Sequence, residues 1–178
     1  MANRESPVHL GAMRDRNLAL VLGEVARHGA VTRAQLAELT GLTKTTVSAQ
    51  VAVLERLRLV EGAEPVRGGG RGRPGAPVSL TRGSVAGLGL EVNGHYLAAC
   101  VLDLTGDVRA SAVVERDSQG RPAEETAGAL AELARRVTGE SGLDVVGTVV
   151  AVPGVVDRAS NAVNAPNIGW RGVPAEAL

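Results

Sequence analysis

Apolar residues in the first third of the chain recur at helical spacing in three successive blocks. Over residues 14–28, Leu18, Val21, Leu22 and Val25 fall on one stripe, the i, i+3, i+4, i+7 signature of an amphipathic helix. Gly29 provides its stop, because glycine accepts the left-handed backbone at a helix end. Thr32-Arg33-Ala34-Gln35 predicts a second helix through a capping box, a threonine cap with a glutamine three residues on. Val31 and Leu36 flank that box as a hydrophobic staple, and Leu36, Ala37 and Leu39 are assigned inward. Gly41 breaks the helix and Thr43 offers a second cap. Leu42 staples onto Val47, and Val47, Val51, Leu54 and Leu57 carry a third helix to about Arg58.

The pattern then changes to strands. Leu59-Val60-Glu61 and Val78-Ser79-Leu80 read as a hairpin pair around a loop rich in Gly, Arg and Pro. Residues 85–92, 96–104 and 108–115 form three further strands, joined by Asn93-Gly94-His95 and Thr105-Gly106-Asp107. A helix follows, with Pro122 in its first turn, Glu124 and Glu125 early, and Arg135 and Arg136 late. That charge order suits the helix dipole. Its apolar face is Leu130, Ala134 and Val137, and Gly139 is its expected stop. Residues 144–152, rich in Val and Ala, predict a buried strand ended by Pro153-Gly154.

Composition narrows the field. Tyr96 and Trp170 are the only aromatic residues, so the cores must be built from Val, Leu and Ala. The net charge is zero, yet residues 1–82 hold 12 basic and 7 acidic side chains and residues 83–178 hold 7 basic and 12 acidic. Such asymmetry suggests that the first half meets a polyanion, with chance scatter of surface charge as the plain alternative. Cys100 is the single cysteine, which excludes an intrachain disulfide or a cysteine-based metal site. No apolar stretch reaches a membrane span and the N-terminus lacks a signal-peptide core. A cytoplasmic location is the default expectation.

Two short helices joined by a glycine-containing turn make a helix-turn-helix, whose second helix enters the DNA major groove. The groove-facing candidates are Thr43, Lys44, Thr45, Thr46, Ser48 and Gln50, with Thr32 and Arg33 at the start of the preceding helix. Hydroxyls suit phosphates, Gln can read adenine, and a Thr methyl can meet a thymine methyl. The plain alternative is a helical hairpin with a solvated polar face. The hairpin after the third helix would be the wing of a winged helix. Within its loop, Arg71-Gly72-Arg73-Pro74 resembles an AT-hook core. Its extended backbone lets Arg71 and Arg73 enter a narrow minor groove or grip the backbone. A flexible linker with incidental arginines is the other reading.

The order of winged helix, Gly-Arg-Pro linker and a unit of three strands, a helix and a strand resembles the ROK family of repressors and sugar kinases, specifically its transcriptional regulators. The stretches that carry the resemblance are Gly70-Arg71-Gly72-Arg73-Pro74, Gly87-Leu88-Gly89-Leu90-Glu91-Val92-Asn93-Gly94, Val152-Pro153-Gly154-Val155-Val156-Asp157 and Ala165-Pro166-Asn167-Ile168-Gly169-Trp170. The resemblance implies an α/β chain: a winged helix-turn-helix over residues 1–80, then over 81–178 the opening part of an actin-like ATPase lobe. The family's downstream sugar-holding and zinc motifs have no counterpart here, so that lobe reads as truncated. ROK kinases cradle phosphate at the first hairpin with an acidic residue, a glycine pair and a threonine. Here His95 replaces the second glycine and Tyr96 the hydroxyl, which would block the close backbone approach. No ATP binding, catalysis, cofactor or metal is therefore expected, and His95 reads as a turn residue.

In sugar-binding relatives the loop after the proline-glycine strand lines the sugar cleft. The resemblance therefore assigns Pro153, Gly154 and Asn167 to a sugar, with Trp170 as a further candidate. Helix capping by Asn167 and core filling by Trp170 are the alternatives. The implied function is a sugar-responsive regulator, most simply a repressor, bound as a homodimer to an operator in double-stranded DNA, with a sugar or sugar phosphate as effector. A ROK-type sugar kinase and a sugar-independent DNA-binding module are the competing readings.

Overall fold

The computed structural model describes residues 7–63 and 75–177. The chain divides into two compact units, Met1–Arg82 and Gly83–Leu178.

In the first unit, helix α1 (Pro7–His28) precedes a two-residue strand β1 (Val31–Thr32). Helices α2 (Arg33–Thr40) and α3 (Lys44–Arg56) follow, then strands β2 (Val60–Gly62) and β3 (Pro77–Leu80). The strands form an antiparallel sheet in the order β1-β3-β2, with Val31 opposite Val78 and Val60 opposite Leu80. Val21, Val25, Leu36, Val47, Val51, Leu54 and Val78 are fully buried and lock three helices onto this sheet. Each is aliphatic, so the core rests on apolar transfer without aromatic anchors. Three helices and a β2–β3 hairpin make a winged helix.

Helix α1 begins at Pro7, seven residues before the expected start at Arg14, and further details differ from the sequence expectation. Leu39, assigned inward, is 45% exposed. In an eight-residue helix the stripe through Leu36 already closes the core. Helix α3 ends at Arg56, with Leu57 as its cap, and Arg58 adopts a left-handed backbone at φ 58° that turns the chain into β2. Strand β1 is too short to leave a period in the sequence.

In the second unit, strands β4 (Ala86–Val92), β5 (Tyr96–Asp103) and β6 (Val108–Glu115) form an antiparallel meander. Helix α4 (Ala123–Ser141) crosses back, and β7 (Val145–Ala151) adds parallel to β4, giving the order β6-β5-β4-β7. Leu88, Val92, Leu97, Ala99 and Val101 on one sheet face bury against Leu130, Leu133 and Val137 of α4. Helix α4 runs past Gly139. It stops at Gly142, which is left-handed at φ 66°, after Ser141 Oγ donates to the Thr138 carbonyl.

Strand β7 is not the buried strand its composition suggests: Val146 and Val149 are 70% and 73% exposed. Among the described residues β7 pairs only with β4, so it is an edge strand with one face uncovered. A further antiparallel sheet, absent from the sequence reading, consists of β8 (Val155–Asp157), β9 (Ala162–Ala165) and β10 (Trp170–Pro174), in the order β10-β9-β8.

Candidate nucleic-acid interface and sugar loop

The helix-turn-helix is held by reciprocal caps. The Gln35 amide N–H donates to Thr32 Oγ1 at 3.3 Å, and the Thr32 N–H donates to Gln35 Oε1 at 2.9 Å. Gly41 turns at φ 69° and its N–H donates to the Ala37 carbonyl at 3.0 Å. The Thr46 N–H then donates to Thr43 Oγ1 at 3.2 Å, and the two threonine hydroxyls lie 2.9 Å apart. Each cap satisfies an amide that the first turn of a helix would otherwise leave orphaned.

This geometry sorts the candidate contacts. Thr43, Lys44, Thr45 and Ser48 are exposed at the N-terminal half of α3, and Thr46 is half-buried. They form a hydroxyl-rich face carrying one cation. Gln50 does not belong to that face, because it is only 7% exposed and its Oε1 is buried without a hydrogen-bond partner. It falls three residues from Val47, on the side of α3 that packs the core. Gln50 as a reader of adenine is therefore corrected. Arg33 is half-buried, and its Nη2 donates to Glu55 Oε1 at 2.9 Å, tying α2 to α3. Arg71 and Arg73 lie outside the described residues.

The sugar-loop candidates gather around β8–β10. Gly154 sits where β7 gives way to β8. A Cβ on it would lie 2.3 Å from the Asn164 carbonyl oxygen and 2.7 Å from Ala165 Cβ, so only glycine fits against β9. Pro153 beside it is half-buried. Asn167 is exposed in the 3₁₀ turn Pro166–Ile168, between buried Ala165 and Ile168. Trp170 is 2% exposed and its Nε1 donates to the Arg121 carbonyl at 3.3 Å. It fills the core, so of its two readings the packing one describes its place. Gly169, at φ 85°, brings the loop against Gly120. The loop is pinned on both sides of one displayed amide.

At the β4–β5 hairpin, Asn93 Oδ1 accepts from the His95 N–H at 3.2 Å, and the Asn93 N–H donates to the Tyr96 carbonyl at 2.9 Å. His95 is an exposed turn residue. The Tyr96 hydroxyl donates to Glu91 Oε1 at 2.7 Å, a contact the sequence reading missed. The diagonal spacing of the two residues across a tight hairpin was the available signal.

Residues 87–177 match the model of the ROK family. The chain belongs to the ROK family. Residues 16–72 match a model of the MarR family, which covers the helix-turn-helix. The chain is 31% identical over 168 residues to a xylose repressor of Bacillus spizizenii, covering 91% of this chain and 42% of the relative. It is 30% identical to a transcriptional regulator of Mycobacterium tuberculosis, covering 91% of this chain and 37% of the relative. The chain thus spans about two fifths of the length of the curated relatives it matches.

A crystal structure of a ROK family transcriptional regulator, a homologue of the E. coli MLC protein, superposes with a TM-score of 0.69 at 18% identity. It covers 91% of this chain and 41% of that one, and shows the shared fold. In ROK terms, the first unit is the helical winged-helix region and the second belongs to the actin-like sheet domain. Among the described residues no helix is long and apolar enough to cross a membrane.

Proposed function

We propose that this chain acts as the DNA-binding and effector-sensing part of a sugar-responsive transcriptional repressor working in the cytoplasm as a homodimer. The observation that carries the reading is the exposed face of Thr43, Lys44, Thr45 and Ser48 at the start of α3, the second helix of a capped helix-turn-helix. Backbone contacts by hydroxyls and a lysine set the register of such a helix on the duplex, and its N-terminal residues reach the base edges. Thr32 and Arg33 stand at the start of α2, where Arg33 pairs with Glu55 near the far end of α3, and are backbone-contact candidates apart from that face; Arg71 and Arg73 add minor-groove or phosphate contacts. Two copies match a two-fold operator. Similarity to xylose repressors makes a pentose the first effector to test, bound by Asn167 with Pro153 and Gly154 shaping the loop.

The test is binding of the purified chain to the DNA upstream of its own gene, titrated with salt, beside Lys44→Ala and Arg71→Ala/Arg73→Ala. Steep salt dependence that flattens in the variants supports the reading, since each lost phosphate contact releases about one fewer counterion. Absence of binding at low salt, to that DNA and to random DNA alike, overturns it. Xylose titrated against Trp170 fluorescence tests the effector part, because Trp170 is the single tryptophan and shares a loop with Asn167.

A kinase reading is disfavoured by the Glu91–Tyr96 contact. It ties up Tyr96, which stands where the kinases that the sequence resembles carry a threonine hydroxyl.

A further inference from the structure

Three strands of the second unit run in one direction. Strand β5 is antiparallel to both β4 and β6, and β7 is parallel to β4, so β4, β6 and β7 all end at the same edge of the sheet. Ligands of α/β sheets gather outside the carboxyl ends of the strands. At that edge β4 delivers Asn93-Gly94-His95, β6 delivers residues 116–121 and β7 delivers Val152-Pro153-Gly154.

The loop after β6 is stitched on both flanks. On one side the Arg116 N–H donates to the His95 carbonyl and the Ser118 N–H to the Gly94 carbonyl, each at 2.9 Å. On the other, the Gly120 N–H donates to the Ile168 carbonyl at 3.1 Å, and Trp170 Nε1 donates to the Arg121 carbonyl at 3.3 Å. The Gln119 N–H is taken by Asp117 Oδ1 at 3.0 Å. The backbone is thus fixed while the Gln119 side chain stays exposed. That side chain lies along Gly94, where an added Cβ would be 3.8 Å from both Gln119 Nε2 and Ile168 Cγ2. Gln119 and Asn167 therefore adjoin the two ends of the Gly120–Ile168 hydrogen bond. Among the described residues neither side-chain amide has a hydrogen-bond partner.

The charges beside this loop are already matched. Arg116 Nη2 and Arg121 Nη1 both donate to Glu125 Oε1 at 2.8 Å, and Arg121 Nε donates to the Asp117 carbonyl at 2.7 Å. Asp117 adds an exposed carboxylate.

We propose that Gln119 is a second sugar contact beside Asn167, and that this pair takes a neutral sugar rather than a sugar phosphate; the proposal rests on the sugar reading of Asn167. Each amide offers both a donor and an acceptor, as each sugar hydroxyl does, so two neighbouring amides suit a pair of adjacent hydroxyls. A phosphate would meet Asp117 and two guanidinium groups already held by Glu125.

The test is a nuclear magnetic resonance titration of the full chain with xylose, glucose and xylose 5-phosphate. Saturable shifts over residues 94–95, 116–120 and 166–169 are expected with a neutral sugar, and weaker binding of the phosphate. Gln119→Met keeps the length of an exposed side chain without its hydrogen bonds. It is expected to weaken the sugar roughly tenfold, as one lost hydrogen bond implies, with thermal unfolding unchanged. Sugar binding that Asn167→Ala weakens and Gln119→Met leaves unaltered overturns the Gln119 assignment and spares the sugar reading. Tighter binding of the phosphate overturns the choice of a neutral ligand. No saturable shift with either sugar overturns the proposal together with the sugar reading beneath it.

Discussion

The phenol of Tyr96 donates a hydrogen bond to Glu91 Oε1 at 2.7 Å across the first hairpin of the second unit. The bond to Glu91 is the main cause that holds the Tyr96 hydroxyl above its ordinary value of 10.0, with burial and the Glu91 charge adding to it. A raised folded-state value favours the neutral phenol. Its stabilisation is therefore complete below the unfolded value and is lost as pH rises through the folded one. Tyr96 is the single tyrosine, so tyrosinate absorbance reports it alone. Titration is expected to show ionisation above pH 10.0, moving back toward that value in Glu91→Gln. An unchanged midpoint in the variant would show that the hydrogen bond is absent in solution.

Gly154→Ala is expected to destabilise the second unit by about 1–3 kcal/mol, the usual cost of overpacking. The new Cβ would enter the space of the Asn164 carbonyl oxygen and Ala165. Gly147→Ala on β7 is the control, since a Cβ there meets nothing within 4 Å. Thermal unfolding of both variants measures the difference. Equal midpoints would mean that β8 and β9 do not approach as described.

The fold was legible where local signals and tertiary packing agree. The Thr32–Gln35 box and the Thr43 cap state their geometry in four residues each, and the structure contains both. Apolar runs set off by the turns Asn93-Gly94-His95 and Thr105-Gly106-Asp107 named β5 and β6, and one face of each packs with α4. Strand β7 was misjudged because valine density is the same for a strand covered on two faces and for one left open at an edge. Strands β8–β10 went unseen because they are three to five residues long and rest on a glycine contact that only three dimensions reveal. For the site, polarity identified the α3 face, but polarity alone could not tell Gln50 from Ser48. That distinction depends on which side of the helix meets Val47 and Val51.

Asp103 should act as a buried anchor. Burial pushes its carboxyl up, but hydrogen bonds from Thr105 Oγ1 and from the N–H groups of Gly83, Asp107 and Thr105 outweigh this and hold it below the usual 3.8. A lowered value contributes stability above the unfolded pKa, lost as pH falls through the folded one. Asp103→Asn keeps the shape and removes the charge, and is expected to cost about 1.5–3 kcal/mol at neutral pH, the range for hydrogen bonds to a charged group. The variant's stability should then vary less with pH below 3.8 than that of the parent chain. Parallel acid-unfolding curves would reject the anchor.

Gln50 and Lys44 lie on the same helix and make opposite predictions. Gln50 Oε1 is buried without a partner, so Gln50→Leu removes an unsatisfied acceptor at similar volume. Stability is expected to be unchanged or raised by up to about 1 kcal/mol, and operator affinity to stay the same. Lys44→Ala exchanges an exposed side chain at the first position of α3. It should leave unfolding almost unaltered and lower the slope of log affinity against log salt by about one, the signature of a single lost phosphate contact. Salt titrations of both variants on one operator separate the two roles. Loss of base preference in Gln50→Leu, with stability intact, would return that residue to the groove and show that α3 turns on binding DNA.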